Sequence, residues 1–207
     1  WHVVLNNQAI QADGVVLGVP ASIAAPIMST VSPNLSAELK MIEFAGAAVV
    51  SLGFDQKDVS HSLQAAGMII PKVAKKRILA ASFSSSKFPG RAPPGAVLIR
   101  TFIGGALDMG ITDLTDEEVV EEVLVDLRTT LGLHGSPSIV QVDRWHRSMP
   151  QYNIGHVERV KKIRQAESKL QSFGLAGSAY DGVGIPQVIE SGQIAAAHAI
   201  KNQAISK

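Results

Sequence analysis

The segment Leu175-Ala176-Gly177-Ser178-Ala179-Tyr180-Asp181-Gly182-Val183-Gly184-Ile185-Pro186 constrains this chain more than any other, and it runs into Ser191-Gly192 and an Ala-rich stretch. It sets an apolar run, a glycine-rich turn and a helical pattern in that order. Glycine takes backbone conformations that a Cβ forbids, and it lets the backbone pass close to a neighbour or a ligand. A helix that begins just after such a turn presents N–H groups with no acceptor inside the helix, which favours anions and carbonyl oxygens. The segment reads as a strand, a turn and a helix N-terminus. It either holds a phosphate or the polar edge of a ring, or it only connects strand to helix.

Composition narrows the classes. With 46% hydrophobic and 18% charged residues in 207, the chain is globular, and it has the length for one large domain or two small ones. A net charge of +1 gives no general pull toward nucleic acid or an anionic membrane. The absence of cysteine excludes disulfides and Cys-ligated metals, and the six histidines show no metal-ligand spacing. No apolar run reaches the roughly 18 residues that span a bilayer. A cytoplasmic protein is expected, with no transmembrane segment, no metal and no nucleic-acid partner.

Patterning along the chain predicts a mixed architecture. Residues 1–20 read as two strands with a turn at Asn6-Asn7, the second ending in Val15-Val16-Leu17-Gly18-Val19-Pro20, a run suited to an interior parallel strand. Helices are predicted over Ala21–Met28 and from Ser32-Pro33 onward, where Ser serves as N-cap and Pro as first helical residue. Four short strands follow, at 47–52, 67–70, 78–83 and 97–102, separated by loops rich in Pro, Gly and Ser. They suggest an antiparallel sheet. Thr115-Asp116-Glu117-Glu118 is a capping box that starts a helix ending at Gly132. A strand at 139–142 leads into a loop at Arg144–Tyr152, followed by a helix over His156–Leu170 with Val157, Val160, Ile163 and Leu170 on one side. The last strand is expected at 172–177 and the last helix from Ile185 to about Asn202. The fold class is thus α/β with α+β character. The basic residues Arg159, Lys161, Lys162 and Arg164 read as a solvated helix face.

Two further segments join the glycine turn: Ser84-Ser85-Ser86-Lys87-Phe88-Pro89-Gly90-Arg91-Ala92-Pro93-Pro94-Gly95 and Arg144-Trp145-His146-Arg147-Ser148-Met149-Pro150-Gln151-Tyr152-Asn153-Ile154-Gly155-His156. With these three in this order, the chain resembles the protoporphyrinogen oxidase family from Trp1 to about Ala197, including its bacterial coproporphyrinogen-oxidising branch. The resemblance implies the flavin amine-oxidase superfold, a partial Rossmann-like FAD-binding layer with an inserted antiparallel substrate-domain sheet. Residues 1–43 and 133–207 would belong to the FAD-binding part and 44–132 to the substrate-binding part. It implies FAD as cofactor, a porphyrinogen (protoporphyrinogen IX or coproporphyrinogen III) as substrate and O2 as acceptor.

The same resemblance implies cofactor contacts at Trp145, Gly177, Val183, Gly184 and Ile185, with the backbone of Val183-Gly184-Ile185 at the pyrimidine edge of the isoalloxazine. Phe83 would stand in the aromatic wall of the substrate pocket, and Arg144 and Arg147 could see porphyrinogen carboxylates. No catalytic side chain is implied. Gln187-Val188 replaces a frequent Asp-Cys, which removes a negative charge near the cofactor. The sequence has no G-x-G-x-x-G fingerprint for the ADP half of FAD. The chain is therefore expected to be the C-terminal portion of an enzyme whose N-terminal half is missing or on a separate chain. A non-catalytic remnant or interaction module, and another amine-oxidase-type flavoprotein, remain as alternatives.

Overall fold

The structure, a computed structural model, describes residues 1–201. It divides into two compact units, residues 1–44 with those from Pro150 onward, and Ala45–Met149.

The first unit opens with a hairpin, β1 (His2–Leu5) and β2 (Gln8–Gln11), antiparallel with Leu5 opposite Gln8. Asn6 and Asn7 take φ of 49° and 63°, the left-handed pair that a two-residue hairpin turn needs and that Asn tolerates best after Gly. The predicted second strand breaks after Gln11, and β3 (Val15–Leu17) is a separate element. It pairs in parallel with β9 (Phe173–Leu175). Helix α1 (Ala21–Ile27) and α2 (Pro33–Lys40) follow. Ser32 is the N-cap residue of α2, but its side chain makes no capping hydrogen bond. Later come α5 (His156–Glu167) and α6 (Ile185–Lys201). Asn202, where the last helix was expected to end, lies outside the described residues. Leu35, Leu39, Phe44, Ile163, Phe173 and Leu175 lie in one core with Ala21, Ala24 and Met28. Val157 departs from its predicted side: it is exposed, and the buried stripe of α5 is His156, Val160, Ile163 and Glu167.

The second unit is a five-stranded sheet in the order β5-β6-β7-β4-β8. It comprises β4 (Phe44–Asp55), β5 (Gly67–Ile69), β6 (Ile78–Phe83), β7 (Ala96–Gly104) and β8 (Ile139–Pro150). The β5–β6, β6–β7 and β4–β7 pairs are antiparallel, as the short-strand spacing predicts. A single turn, α3 (Ser84–Lys87), follows β6. Helix α4 (Asp116–Leu131) has the predicted capping box, with the Glu118 N–H on the Thr115 hydroxyl and the Thr115 N–H on the Glu118 carboxylate. Its Val119, Val123 and Leu127 are fully buried in the sheet's core, and Gly132 ends it at φ 61°. The expected loop at 144–150 is instead the second half of β8, and the strand begun at 139 lies beside β4 in this sheet. The compact unit accordingly runs to Met149, where the resemblance would end the substrate-binding part at 132. Strand pairing supplies the partner for that backbone, which local composition does not reveal.

Candidate functional site

In the first unit the glycine-rich segment does what its order suggests. β9 ends at Leu175, the backbone turns through Gly177 and Gly182, and α6 begins at Ile185. Gly177 and Gly182 have φ of 133° and 151°, conformations that side chains rarely adopt. A Cβ on Gly177 would meet nothing within 4 Å, so the turn is open there. Gly184 does not have positive φ, and a Cβ there would meet only the flexible amide of Gln187. The conformational demand for glycine therefore sits at 177 and 182. Val183 and Ile185 are 65% and 77% exposed. At the head of α6 the N–H groups of Ile185 and Gln187 have no acceptor within the helix, while Pro186 gives up none that the helix would use. Open space, two outward donors and two exposed apolar side chains suit the carbonyl-bearing edge of a flat ring.

The turn is tied to α5. Glu167, 2% exposed, accepts the Leu175 N–H at 2.7 Å. Arg164 donates to Glu167 at 2.7 Å, to the Leu175 carbonyl at 3.1 Å, and to Asp181. Burial works against the Arg164 charge, but the hydrogen bonds and charges of Glu167 and Asp181 outweigh it and push its pKa up. The guanidinium also lies 5.1 Å from the centre of the Tyr180 ring. Tyr152 donates its hydroxyl to the Ser178 carbonyl at 2.7 Å and stacks on His156 at 3.8 Å. Burial raises the Tyr152 pKa, the Asp181 carboxylate adds to this, and the Gly182 backbone opposes it. Tyr152, His156, Arg164, Tyr180 and Asp181 line, with the α5 residues between His156 and Gln165 that face them, a cavity of about 600 Å³. The helix face read as solvated is thus partly engaged: Arg164 faces the turn, and Arg159 and Lys162 pair with Glu38 at 3.7 and 3.6 Å. Sequence reading missed Glu167, because a lone Glu near a helix end gives no local sign of a distant strand amide.

In the second unit Trp145 stands on β8, in regular strand where a Pro-containing loop was expected, and its side chain is 56% exposed. Its broad aromatic face is available to a ligand. Arg144 is committed elsewhere: it pairs with Asp116 and donates to the Leu114 carbonyl at 2.6 Å. Phe83 is 1% exposed within the sheet's core, with its ring 5.7 Å from that of His61. As placed it is a packing residue and offers no face to a substrate. Among the described residues no His, Asp and Glu group could hold a metal ion, and no helix is long and apolar enough to cross a membrane.

A mixed α/β chain with a parallel strand pair, a glycine-rich strand-to-helix turn and a separate antiparallel sheet has the fold of flavin amine-oxidase-type proteins. The chain belongs to the flavin containing amine oxidoreductase family, which it matches over residues 2–200. Among curated relatives it is 35% identical over 196 residues to coproporphyrinogen III oxidase of Bacillus subtilis (strain 168), covering 94% of this chain and 41% of that protein. It is 29% identical over 195 residues to protoporphyrinogen oxidase 1, chloroplastic, of Arabidopsis thaliana, covering 88% of this chain and 36% of that one. The chain thus spans about two fifths of the length of the curated relatives it matches. A crystal structure from Exiguobacterium sp. 255-15, which bears a provisional protoporphyrinogen oxidase name, is 26% identical with a TM-score of 0.78, covering 100% of this chain and 44% of that one. Cyclohexylamine oxidase from Brevibacterium oxydans IH-35A, at 14% identity and a TM-score of 0.65 over 98% of this chain and 46% of that one, shares the fold.

Proposed function

We propose that this chain is a flavin-facing portion of an FAD-dependent oxidase that dehydrogenates a porphyrinogen, protoporphyrinogen IX or coproporphyrinogen III, with O2 as acceptor. The observation that carries this is the Gly177–Ile185 turn at the head of α6, open at Gly177, in a chain whose curated relatives include porphyrinogen oxidases. The residues present fit a flavin. Ile185 and Gln187 would donate N–H groups to the pyrimidine edge of the ring, and the positive end of α6 would favour negative charge there. The side chains of Val183 and Ile185 would exclude water from that edge, and the backbone at Gly177 would leave it room. Trp145 would give the ring an aromatic face. Gln187 offers the edge a neutral amide. The bound flavin would supply the hydrogen acceptor, and the protein orientation and electrostatics. We assign the cofactor role mainly to residues 1–44 and 150–201, and the substrate role mainly to 45–149.

The test is a hybrid in which residues 2–200 replace the matched segment of the Bacillus subtilis coproporphyrinogen III oxidase. The expected outcome is a yellow protein that turns coproporphyrinogen III or protoporphyrinogen IX into the fluorescent porphyrin. In that hybrid Gly184→Val should lose flavin while Trp145→Phe keeps it with weaker binding, by about 1 kcal/mol. Gly184 carries no positive φ, so the valine adds no left-handed backbone strain, and its Cβ would displace the Gln187 amide; lost flavin reports lost space at the ring edge or the displaced amide. A folded, flavin-loaded hybrid inert toward both porphyrinogens would overturn the substrate. A folded hybrid without flavin would favour a non-catalytic interaction module.

A further inference from the structure

The glycine turn is held in place largely by side chains outside it. Leu175 is the last residue of β9, and both its backbone groups are taken by α5: its N–H by the Glu167 carboxylate at 2.7 Å and its carbonyl by Arg164 at 3.1 Å. Glu167 and Arg164 in turn hold each other at 2.7 Å. The Glu167 side chain is 3% exposed and the Arg164 side chain 28%, so the pair is largely withdrawn from water, where hydrogen bonds between charged groups are strong and geometrically exacting. Arg164 then reaches past the strand end to the Asp181 carboxylate, in the middle of the turn. Tyr152, stacked on His156 of α5, donates to the Ser178 carbonyl. Residues 175, 178 and 181 are thereby fixed to α5 and to the segment before it, leaving Gly182–Gly184 as the short span between Asp181 and the helix.

We infer that Arg164, Glu167 and Asp181 are positioning residues: they form a brace from α5 that sets the register of the Gly177–Ile185 turn and so the aim of the backbone donors at the head of α6. This rests on the reading of that turn as the flavin site. None of the three is expected to touch the flavin. Their effect is transmitted by the backbone of Leu175 and by Asp181. The cooperation is asymmetric: Asp181 is half-exposed and ties only the turn, whereas Glu167 is buried and also ties the strand.

The test has two arms. In the chain alone, hydrogen exchange of the peptides covering residues 173–184 is followed for wild type, Asp181→Asn, Asp181→Glu and Glu167→Gln. Asp181→Asn should speed exchange there by about fivefold, the scale of a partly exposed ion pair, and Glu167→Gln by more. Asp181→Glu keeps the charge and the reach to Arg164 and should restore protection. Glu38→Gln, which cuts the ion pairs of Glu38 to Arg159 and Lys162 of α5, is the control and should change nothing in 173–184. In the hybrid, the flavin dissociation constant should rise about fivefold with Asp181→Asn and return with Asp181→Glu. Unchanged exchange in Asp181→Asn and Glu167→Gln overturns the brace itself. Faster exchange with unchanged flavin affinity and spectrum overturns the positioning role while leaving the flavin assignment standing. A folded wild-type hybrid with no flavin, beside faster exchange in the variant chains, removes the flavin reading and the positioning role with it. Should Glu167→Gln fail to fold, the half-exposed Asp181 variants decide the matter.

Discussion

Tyr180 shows how a single buried group carries a measurable consequence. Its ring is 2% exposed, and its hydroxyl is buried with no hydrogen-bond partner among the described residues. A hydroxyl withdrawn from water without a partner costs free energy that a phenyl ring does not incur. Burial also raises the Tyr180 pKa well above 10, with Arg164 opposing and Glu167 and Asp181 assisting. The sign follows from proton counts. Above about pH 10 an unfolded tyrosine releases its proton while the folded one keeps it, so stability is intact below that pH and falls as pH rises. Tyr180→Phe should be as stable as wild type or up to about 2 kcal/mol more stable at neutral pH. Its stability should also fall less between about pH 9 and pH 11. Urea unfolding at both pH values checks this. A variant with the wild-type alkaline slope would show that Tyr180 is not the group withheld from titration, leaving Tyr152 as the candidate.

At the scale of elements, legibility tracks how local the determining physics is. Helix α4 was readable to the residue because its cap, Thr115 with Glu118, and its stop, Gly132, are satisfied within one turn of the sequence. The Asn6-Asn7 turn was readable for the same reason. β8 was not: Arg144–Pro150 carries a proline and charged residues, and it is a strand because β4 lies beside it. The candidate turn was legible at Gly177 and Gly182, but its support from Glu167 was not, because the bond joins a helix residue to a strand amide across the Gly-rich connection. The two units also have separate cores, and each unit carries one tryptophan, Trp1 packed against the first core and Trp145 exposed on β8 of the second unit. Thr115→Ala should cost about 1 kcal/mol, confined to the second unit. In urea the transition seen by Trp145 in a Trp1→Phe background should move to lower concentration. The transition seen by Trp1 in a Trp145→Phe background should stay. Two probes shifting together would mean the units unfold as one cooperative system.

At the scale of the whole molecule, the question is how much of a cofactor this chain can hold. On the proposed reading, the turn at Gly177–Ile185 addresses one edge of a ring. A dinucleotide also has two phosphates and a second base. Proteins of this fold class hold such a pyrophosphate at a glycine-rich strand-to-helix turn with a G-x-G-x-x-G signature, where the helix N-terminus and backbone approach do the binding. The 207 residues contain no such signature. Ring-edge contacts alone leave the charged half of FAD in water, so the free energy gained is set against the full cost of immobilising a large ligand. The isolated chain should therefore lose FAD on purification, and equilibrium dialysis should find weak binding at most. FMN, which has the same ring without the adenosine half, should bind about as well as FAD. A preparation that retains one FAD per chain with a resolved flavin spectrum would contradict this. FAD bound far more tightly than FMN would show that some surface of these 207 residues recognises the adenosine diphosphate half after all.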